Sequence, residues 1–349
     1  MSPVQQNSGD KSEMRLNVCR NMCYGGALFL LFTVVRVLSP VNVPVDVDPQ
    51  SENPRFRRSA RDGPLVDLGS SDLAKWAQDV FITVKTSSKF HDTRLRDIVD
   101  TWFRLAPQNI YFVTDVSDQT FNQQTGGHLI NSNCSASHSR QALCCKMRVE
   151  LQRFLQSDKR WFCHFDDDNY VNVPQLMRLL SGYDPRKDWY LGRPSTRGPI
   201  EILDRNDPSP SKVSFWFATG GAGFCLSRSL VTKMAPYIQD RKFESLGDTI
   251  RLPDDVTLGY LIEHLLGKRL TVVDRLHSHL ESMKLLSLDT LHEQVSLSAG
   301  SYSPEKKNVV RVKNLFAESA DPNRFRSIHC FLFPKAHVCQ TLDRATTLR

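Results

Sequence analysis

The chain has 349 residues, 40% of them hydrophobic, and a formal net charge of +7. That length allows one large domain or two ordinary ones, each with a core. The positive charge is spread out, with no long Lys/Arg run carrying interleaved aromatics, so a nucleic-acid partner is excluded from the first readings.

Residues 1–20 are polar and carry Lys11, Arg15 and Arg20. Residues 21–38 are almost wholly apolar, at the short end of the roughly 17–25 residues a membrane span needs. No small-x-small cleavage site follows, so this stretch reads as a signal anchor rather than a cleaved signal peptide. Basic residues precede it, and Asp46, Asp48 and Glu52 follow. That asymmetry predicts a cytoplasmic tail at 1–20, a single span at 21–38 and a luminal remainder. Residues 39–75, rich in Pro, Asp and Ser, read as a flexible stem. Within the stem, Arg55-Phe56-Arg57-Arg58 has the Arg-x-Arg-Arg form that secretory proprotein convertases cut.

The ordered domain is expected at 76–349. A β-branched and aromatic run at 80–84 predicts a strand. Leu95, Ile98, Val99 and Trp102 fall at i, i+3, i+4 and i+7, which predicts a helix over 93–102. A second strand is expected at 110–114. A polar stretch over 131–141 contains the sequon Asn133-Cys134-Ser135. A helix burying Met147, Leu151, Phe154 and Leu155 then leads into a third strand at 161–165. This strand–helix alternation predicts right-handed crossovers and a mainly parallel α/β sheet flanked by helices.

The third strand runs into Asp166, Asp167 and Asp168 within WFCHFDDDNYVN. Three adjacent carboxylates repel and raise one another's pKa unless a cation is present. Hard oxygen donors suit Mg²⁺ or Mn²⁺. On an extended backbone Asp166 and Asp168 would share one face. Ligands of parallel sheets bind beyond the carboxyl ends of the strands, where these residues fall. The alternatives are a solvated acidic turn or a Ca²⁺ loop, and Tyr170 and Val171 break the EF-hand pattern.

A helix is expected at 174–180, a strand at 189–191 and a loop over 194–212. In FWFATGGAGF, Gly220, Gly221 and Gly223 let a ligand approach the backbone closely. A tight turn into a helix over 227–235 is the plainer reading. The missing Lys-Ser/Thr excludes a P-loop.

Another helix follows RLPDD, with Leu258, Leu261, Ile262 and Leu265 on its apolar face, closed by Gly267. Asp254 is the expected N-cap, leaving Asp255 in the first turn. The helix dipole would lower the pKa of Asp255, whereas burial or a neighbouring carboxylate would raise it. A strand is expected at 270–273, followed by His277-Ser278-His279 with Glu281 close behind, a candidate metal-ligating cluster. The C-terminal part through Cys330 and Cys339 reads as an extended, disulfide-pinned tail. The nine cysteines contain no paired C-x-x-C spacing, which argues against structural zinc. In an oxidising compartment the seven beyond the N-terminal pair would give three disulfides and one thiol.

WFCHFDDDNYVN, FWFATGGAGFC, RLPDDVTLGY and HSHLE, in this order and spacing, resemble the fringe family of β1,3-N-acetylglucosaminyltransferases. The resemblance runs from about residue 80 to 339. It implies a GT-A-type glycosyltransferase fold, in a single luminal domain behind the N-terminal membrane anchor, located in the Golgi membrane, with a secreted form if the stem is cut. It implies transfer of N-acetylglucosamine from UDP-N-acetylglucosamine to O-linked fucose on EGF-like repeats of Notch-type receptors and ligands. Carried over residue by residue, Asp168 and His279 would hold Mn²⁺, with Mg²⁺ the other candidate ion. Asp167 and Arg94 would contact the donor, and Asp255 would be the catalytic base. The disulfides would be Cys134–Cys145, Cys163–Cys225 and Cys330–Cys339, leaving Cys144 free, and Asn133 would carry glycan. The tail departs from the vertebrate pattern around Cys339, and Val256 stands where vertebrate members usually carry Cys. The competing readings are a β1,3-glycosyltransferase with a galactose or mannose acceptor and a non-catalytic luminal glycan-binding protein.

Overall fold

The computed structural model describes residues 78–203, 211–303, 306–313 and 315–340. The expected tail, anchor and stem, including Arg55–Arg58, lie outside the described residues. Among the described residues no helix is long and apolar enough to cross a membrane.

The strands are β1 (Val80–Lys85), β2 (Ile110–Thr114), β3 (Leu129–Asn131), β4 (Trp161–Asp166), β5 (Asn169–Val171), β6 (Tyr190–Gly192), β7 (Ile200–Leu203), β8 (Lys212–Phe215), β9 (Phe224–Ser227), β10 (Leu270–Val272), β11 (Ser296–Ser298), β12 (Gly300–Ser303) and β13 (Lys306–Asn308). Seven of them form the central sheet in the order β10-β6-β9-β4-β1-β2-β3. All of its pairings are parallel except those of β9, which runs antiparallel to β4 and β6. The expected α/β architecture with a mainly parallel sheet is therefore observed.

The period of two along each strand divides the core. Trp161, Cys163 and Phe165 of β4 and Val80, Ile82 and Val84 of β1 enter one buried cluster. Phe81 and Phe162 enter the other, with Met147, Leu151 and Phe154 from the long helix α1 (Arg140–Leu155). Burying a side chain of this size contributes roughly 1.5–3 kcal/mol, so the alternation fixes the register strongly. Cys163 lies directly opposite Cys225 across β4 and β9, with Cα atoms 4.1 Å apart, and the two form a disulfide. Cys134–Cys145 and Cys330–Cys339 are also bridged, and Cys144 is a buried free thiol.

Several local expectations need correction. Residues 91–105 do not form one continuous helix. A π-helical turn (His91–Leu95), a short α-helix (Arg96–Asp100) and a 3₁₀ turn (Trp102–Leu105) follow one another, although Leu95, Ile98, Val99 and Trp102 are all buried as expected. The stretch 194–212 is not all loop: it contributes β7, which pairs with β8 as a hairpin. That hairpin is half exposed, and it is held by packing of Val213 and Phe215 with Val256 and Tyr260. The helix after the Gly-rich stretch, Arg228–Ile238, continues through Pro236, beyond the expected end at 235. Leu265 is 37% exposed and so lies off the buried face. The C-terminal part is helical over Phe325–Leu332, because Phe325 and Ile328 bury at helical spacing against the core.

Candidate active site

Beyond the carboxyl ends of β1 and β4 lies a pocket of roughly 340 Å³, lined by the three Asp, Gly220, Gly221, Asp254, Asp255, Arg94 and His279, among others. A volume of this size suits a small organic ligand.

The strand β4 ends at Asp166, and the turn that follows gives each of the three carboxylates different partners. Asp166 lies 3.3 Å from Lys85 Nζ and 3.5 Å from His164 Nε2. Burial opposes its ionisation, but the Lys85 ammonium holds it well below the usual carboxylate range. Asp167 is buried: its Oδ2 accepts from Thr86 Oγ1 at 2.7 Å and its Oδ1 from Arg94 Nη1 at 2.7 Å. Arg94 also lies over the Phe90 ring at 4.1 Å. Asp167 therefore reaches the pocket as the group that orients Arg94, with both of its oxygens engaged. The extended backbone stops at Asp166, so Asp166 and Asp168 come to line one pocket through the turn and not along a strand face.

Asp168 differs from Asp166, whose own unbonded Oδ1 has the Lys85 ammonium beside it. Its Oδ1 is buried without a hydrogen-bond partner, and its Oδ2 lies 3.6 Å from Arg94 Nη1 and 3.8 Å from His279 Nδ1. Burial, with Asp166 beside it, pushes its carboxyl up to about 8. Burial pushes His279 down, which favours neutral imidazole, the form that ligates metals. A carboxylate with one oxygen orphaned and the other 3.8 Å from an imidazole nitrogen fits a divalent cation. Among the described residues no cluster of three or more His, Cys, Asp or Glu forms a complete cage. An ion held by these two would keep coordination positions for substrate oxygens and water, as Mg²⁺-type sites commonly do.

His279 is positioned by backbone that has no side chains in the way. A Cβ on Gly300 would come 2.7 Å from His279 Cβ, and one on Gly221 would come 3.3 Å from its Cε1. From behind, the buried Asn308 donates Nδ2 to the carbonyls of His279 (2.8 Å) and Glu281 (2.7 Å), and its Oδ1 accepts from Met283 N (2.9 Å). The neighbouring His277 is not part of the pocket: it is buried against Glu281 and Gln294.

Asp255 opens the helix α2 (Asp254–Gly259). Its Oδ2 accepts from Gly220 N at 3.1 Å and its Oδ1 from Val256 N at 2.8 Å. Burial, with adjacent Asp254, raises it to about 6, so the effects opposing the helix dipole prevail. Asp254 is not the N-cap, a position taken by Pro253; it is paired with Lys85 Nζ at 2.7 Å instead. The Gly-rich turn lies between Asp255 and the acidic turn: a Cβ on Gly220 would sit 3.7 Å from Asp166 Oδ2 and 3.8 Å from Asp255 Cβ. Asn169, fully buried, fixes that arrangement by accepting from Asp166 N (3.0 Å) and donating to Gly221 O (2.8 Å). Gly223 at φ +81° could not carry a side chain, since its Cβ would lie 2.2 Å from the Phe165 ring.

Beneath the pocket lies a buried charge network that sequence reasoning missed. Glu150 Oε2 accepts from Thr83 Oγ1 (2.6 Å) and pairs with His164 Nδ1 (2.7 Å). Burial disfavours charge on His164, yet the Glu150 carboxylate raises it to about 9. Two cations, Lys85 and His164, thus stand among Glu150, Asp166 and Asp254. The sequence signals were faint: one Lys ending an apolar strand and one His inside another. Asn133 is exposed in a left-handed conformation, on the loop that Cys134–Cys145 ties to α1.

The chain matches the Fringe-like family over residues 76–336. It is similar to a fringe glycosyltransferase of Drosophila melanogaster, 55% identical over 292 residues, covering 81% of this chain and 70% of that protein. The β1,3-N-acetylglucosaminyltransferase lunatic fringe of Danio rerio is 45% identical over 295 residues, covering 84% and 76% respectively. The lunatic fringe of Homo sapiens is 48% identical over 263 residues, covering 75% and 69%.

Proposed function

Since the chain belongs to the Fringe-like family, we propose that it is a metal-dependent inverting glycosyltransferase of GT-A type. In this reading it moves N-acetylglucosamine from UDP-N-acetylglucosamine in β1,3 linkage to O-linked fucose on EGF-like repeats, and so modulates Notch-type signalling. It acts in the Golgi lumen, anchored by residues 21–38.

The observation that carries the chemistry is the Asp168 carboxylate, with its Oδ1 unpartnered and its Oδ2 3.8 Å from His279 Nδ1, and Asp255 across the Gly-rich turn. Asp168 and His279 would hold Mn²⁺ or Mg²⁺, whose role when bound is to stabilise the leaving diphosphate as a Lewis acid. Arg94, fixed by Asp167, offers its remaining donors to the nucleotide. Asp255 takes the proton from the fucose 3-hydroxyl as that oxygen forms its bond to the anomeric carbon. The bond from that carbon to the phosphate oxygen breaks on the opposite face, and UDP leaves.

Incubating the full chain with UDP-N-acetylglucosamine, Mn²⁺ and an O-fucosylated EGF-like module should add the mass of one N-acetylhexosamine. Addition to a galactose or mannose acceptor instead would overturn the acceptor assignment, and no UDP release with any acceptor would favour a glycan-binding protein. A narrower prediction concerns Asn308. Groups that orient a metal ligand typically contribute about 10–100-fold to metal affinity. Asn308→Ala should therefore weaken Mn²⁺ binding by about that factor in a direct ion titration, and unchanged affinity would remove Asn308 from this role.

A further inference from the structure

Two carboxylates open the helix α2, and only Asp255 has a task in the transfer step. Its neighbour Asp254 is buried, and adjacent buried carboxylates disfavour each other's ionisation. The fold sets a cation against this conflict. Lys85, the last residue of β1, directs Nζ to Asp254 Oδ2 at 2.7 Å and to Asp166 Oδ1 at 3.3 Å. Only 11% of its side chain is exposed, and 5% of that of Asp254. Burial works against charge on Lys85, but Asp166, Asp254 and Glu150 outweigh it and hold the ammonium protonated.

The other groups around α2 are engaged elsewhere or uncharged. His164 on β4 is paired with Glu150 at 2.7 Å, and its Nε2 faces Asp166 at 3.5 Å. Burial pushes up both the Cys144 thiol on α1, to about 12, and the Tyr190 hydroxyl on β6, so both are neutral at physiological pH. On the neighbouring helix Lys242–Ile250, Glu244 pairs with Arg148 and Asp248 with Arg140. The ammonium of Lys85 is therefore the charge set directly against Asp254. It also ties the start of α2 to the end of β4, the two elements on either side of Gly220.

We propose that Lys85 is a positioning residue for the base: by offsetting the charge of Asp254, it lets the adjacent Asp255 ionise and accept a proton. This rests on the reading of Asp255 as the base. Lys85 acts through Asp254 and touches neither the acceptor nor the proton.

The test follows kcat/KM against pH at saturating Mn²⁺ for the full-length wild type, Lys85→Met, Asp254→Asn and the double variant. In kcat/KM the acidic limb reports the base of the free enzyme. Burial and Asp254 set that limb at about 6 in the wild type. Removing a nearby opposite charge raises a carboxyl by about one unit or more. Lys85→Met should therefore move the limb up by about that much. Its rate near pH 5 should fall about tenfold against wild type, and the deficit should shrink as pH rises. Asp254→Asn should move the limb down, and adding Lys85→Met to it should bring the limb back up. That second comparison removes both partners of the buried pair together, so it stands where Lys85→Met alone does not fold. A limb unmoved by Lys85→Met in either background, with the rate lowered equally at every pH, overturns the inference and makes Lys85 structural. A loss of UDP affinity with the limb unmoved also overturns it, since the lysine would then be a donor ligand. Failure of the underlying reading looks different: Asp255→Asn would keep the wild-type limb, and this inference would fall with the base assignment.

Discussion

Asp255→Asn should lose at least about two orders of magnitude in turnover while keeping its affinity for UDP and metal, since general-base catalysis typically contributes about 10²–10⁴-fold. Asparagine keeps the shape of the side chain, but its single amide oxygen can accept from only one of Gly220 N and Val256 N, which the two carboxylate oxygens serve separately. What it lacks is the capacity to take the acceptor's proton. The pH profile provides a second signature. Burial and Asp254 raise the Asp255 carboxyl to about 6. The ionised form is the active one, so kcat/KM should rise with pH through that region and fall about tenfold per unit below it. In Asp255→Asn the residual rate should lose this acidic limb. Near-normal turnover, or an unchanged acidic limb, would assign the base to another residue.

Asp168→Asn should abolish the part of UDP affinity that depends on Mn²⁺. The wild-type carboxylate is buried, has one oxygen without a partner and is pushed up to about 8 by burial and Asp166. Such an arrangement is unfavourable without a cation and is the kind of local strain that functional sites retain. Removing the ionisable group relieves that strain, because a carboxyl whose pKa is raised on folding costs increasing stability as pH rises from its unfolded value towards its folded one. The metal-free thermal midpoint near neutral pH should therefore hold or rise as metal-dependent binding disappears. UDP affinity that still responds to Mn²⁺ in this variant would refute the assignment, and a lowered midpoint would show that the carboxylate is structural.

The parts of the site legible in the sequence are those whose signal is local. The strands β1, β2 and β4 are marked by mostly apolar runs, and the acidic triplet ends the last of them. Asp255 stands out because two carboxylates open one helix, although the division of labour was misread. Asp254 is taken from the capping role by Lys85, which lies 169 positions away along the chain. Asn308 is invisible for the same reason: it has no motif of its own, and its three partners lie 25 to 29 positions earlier. Glu150 and His164 each look like a polar interruption of an apolar face, and only the packing of α1 on the sheet turns them into a pair. The β7–β8 hairpin escaped because a half-exposed strand in a polar stretch takes its stability from tertiary contacts rather than from propensity. The C-terminal helix was legible in principle, since Phe325 and Ile328 recur at helical spacing, but the flanking cysteines suggested a pinned tail.

The central claim is that a divalent ion at Asp168 and His279 meets the diphosphate of an activated sugar. Crystals of the protein grown with UDP and Mn²⁺, measured at a wavelength where manganese scatters anomalously, test it most directly. The account predicts one strong anomalous peak about 2.0–2.3 Å from an Asp168 oxygen and a His279 nitrogen, the range of hard-cation coordination, in contact with phosphate oxygens. Bound UDP with the peak elsewhere, or with none, would contradict it.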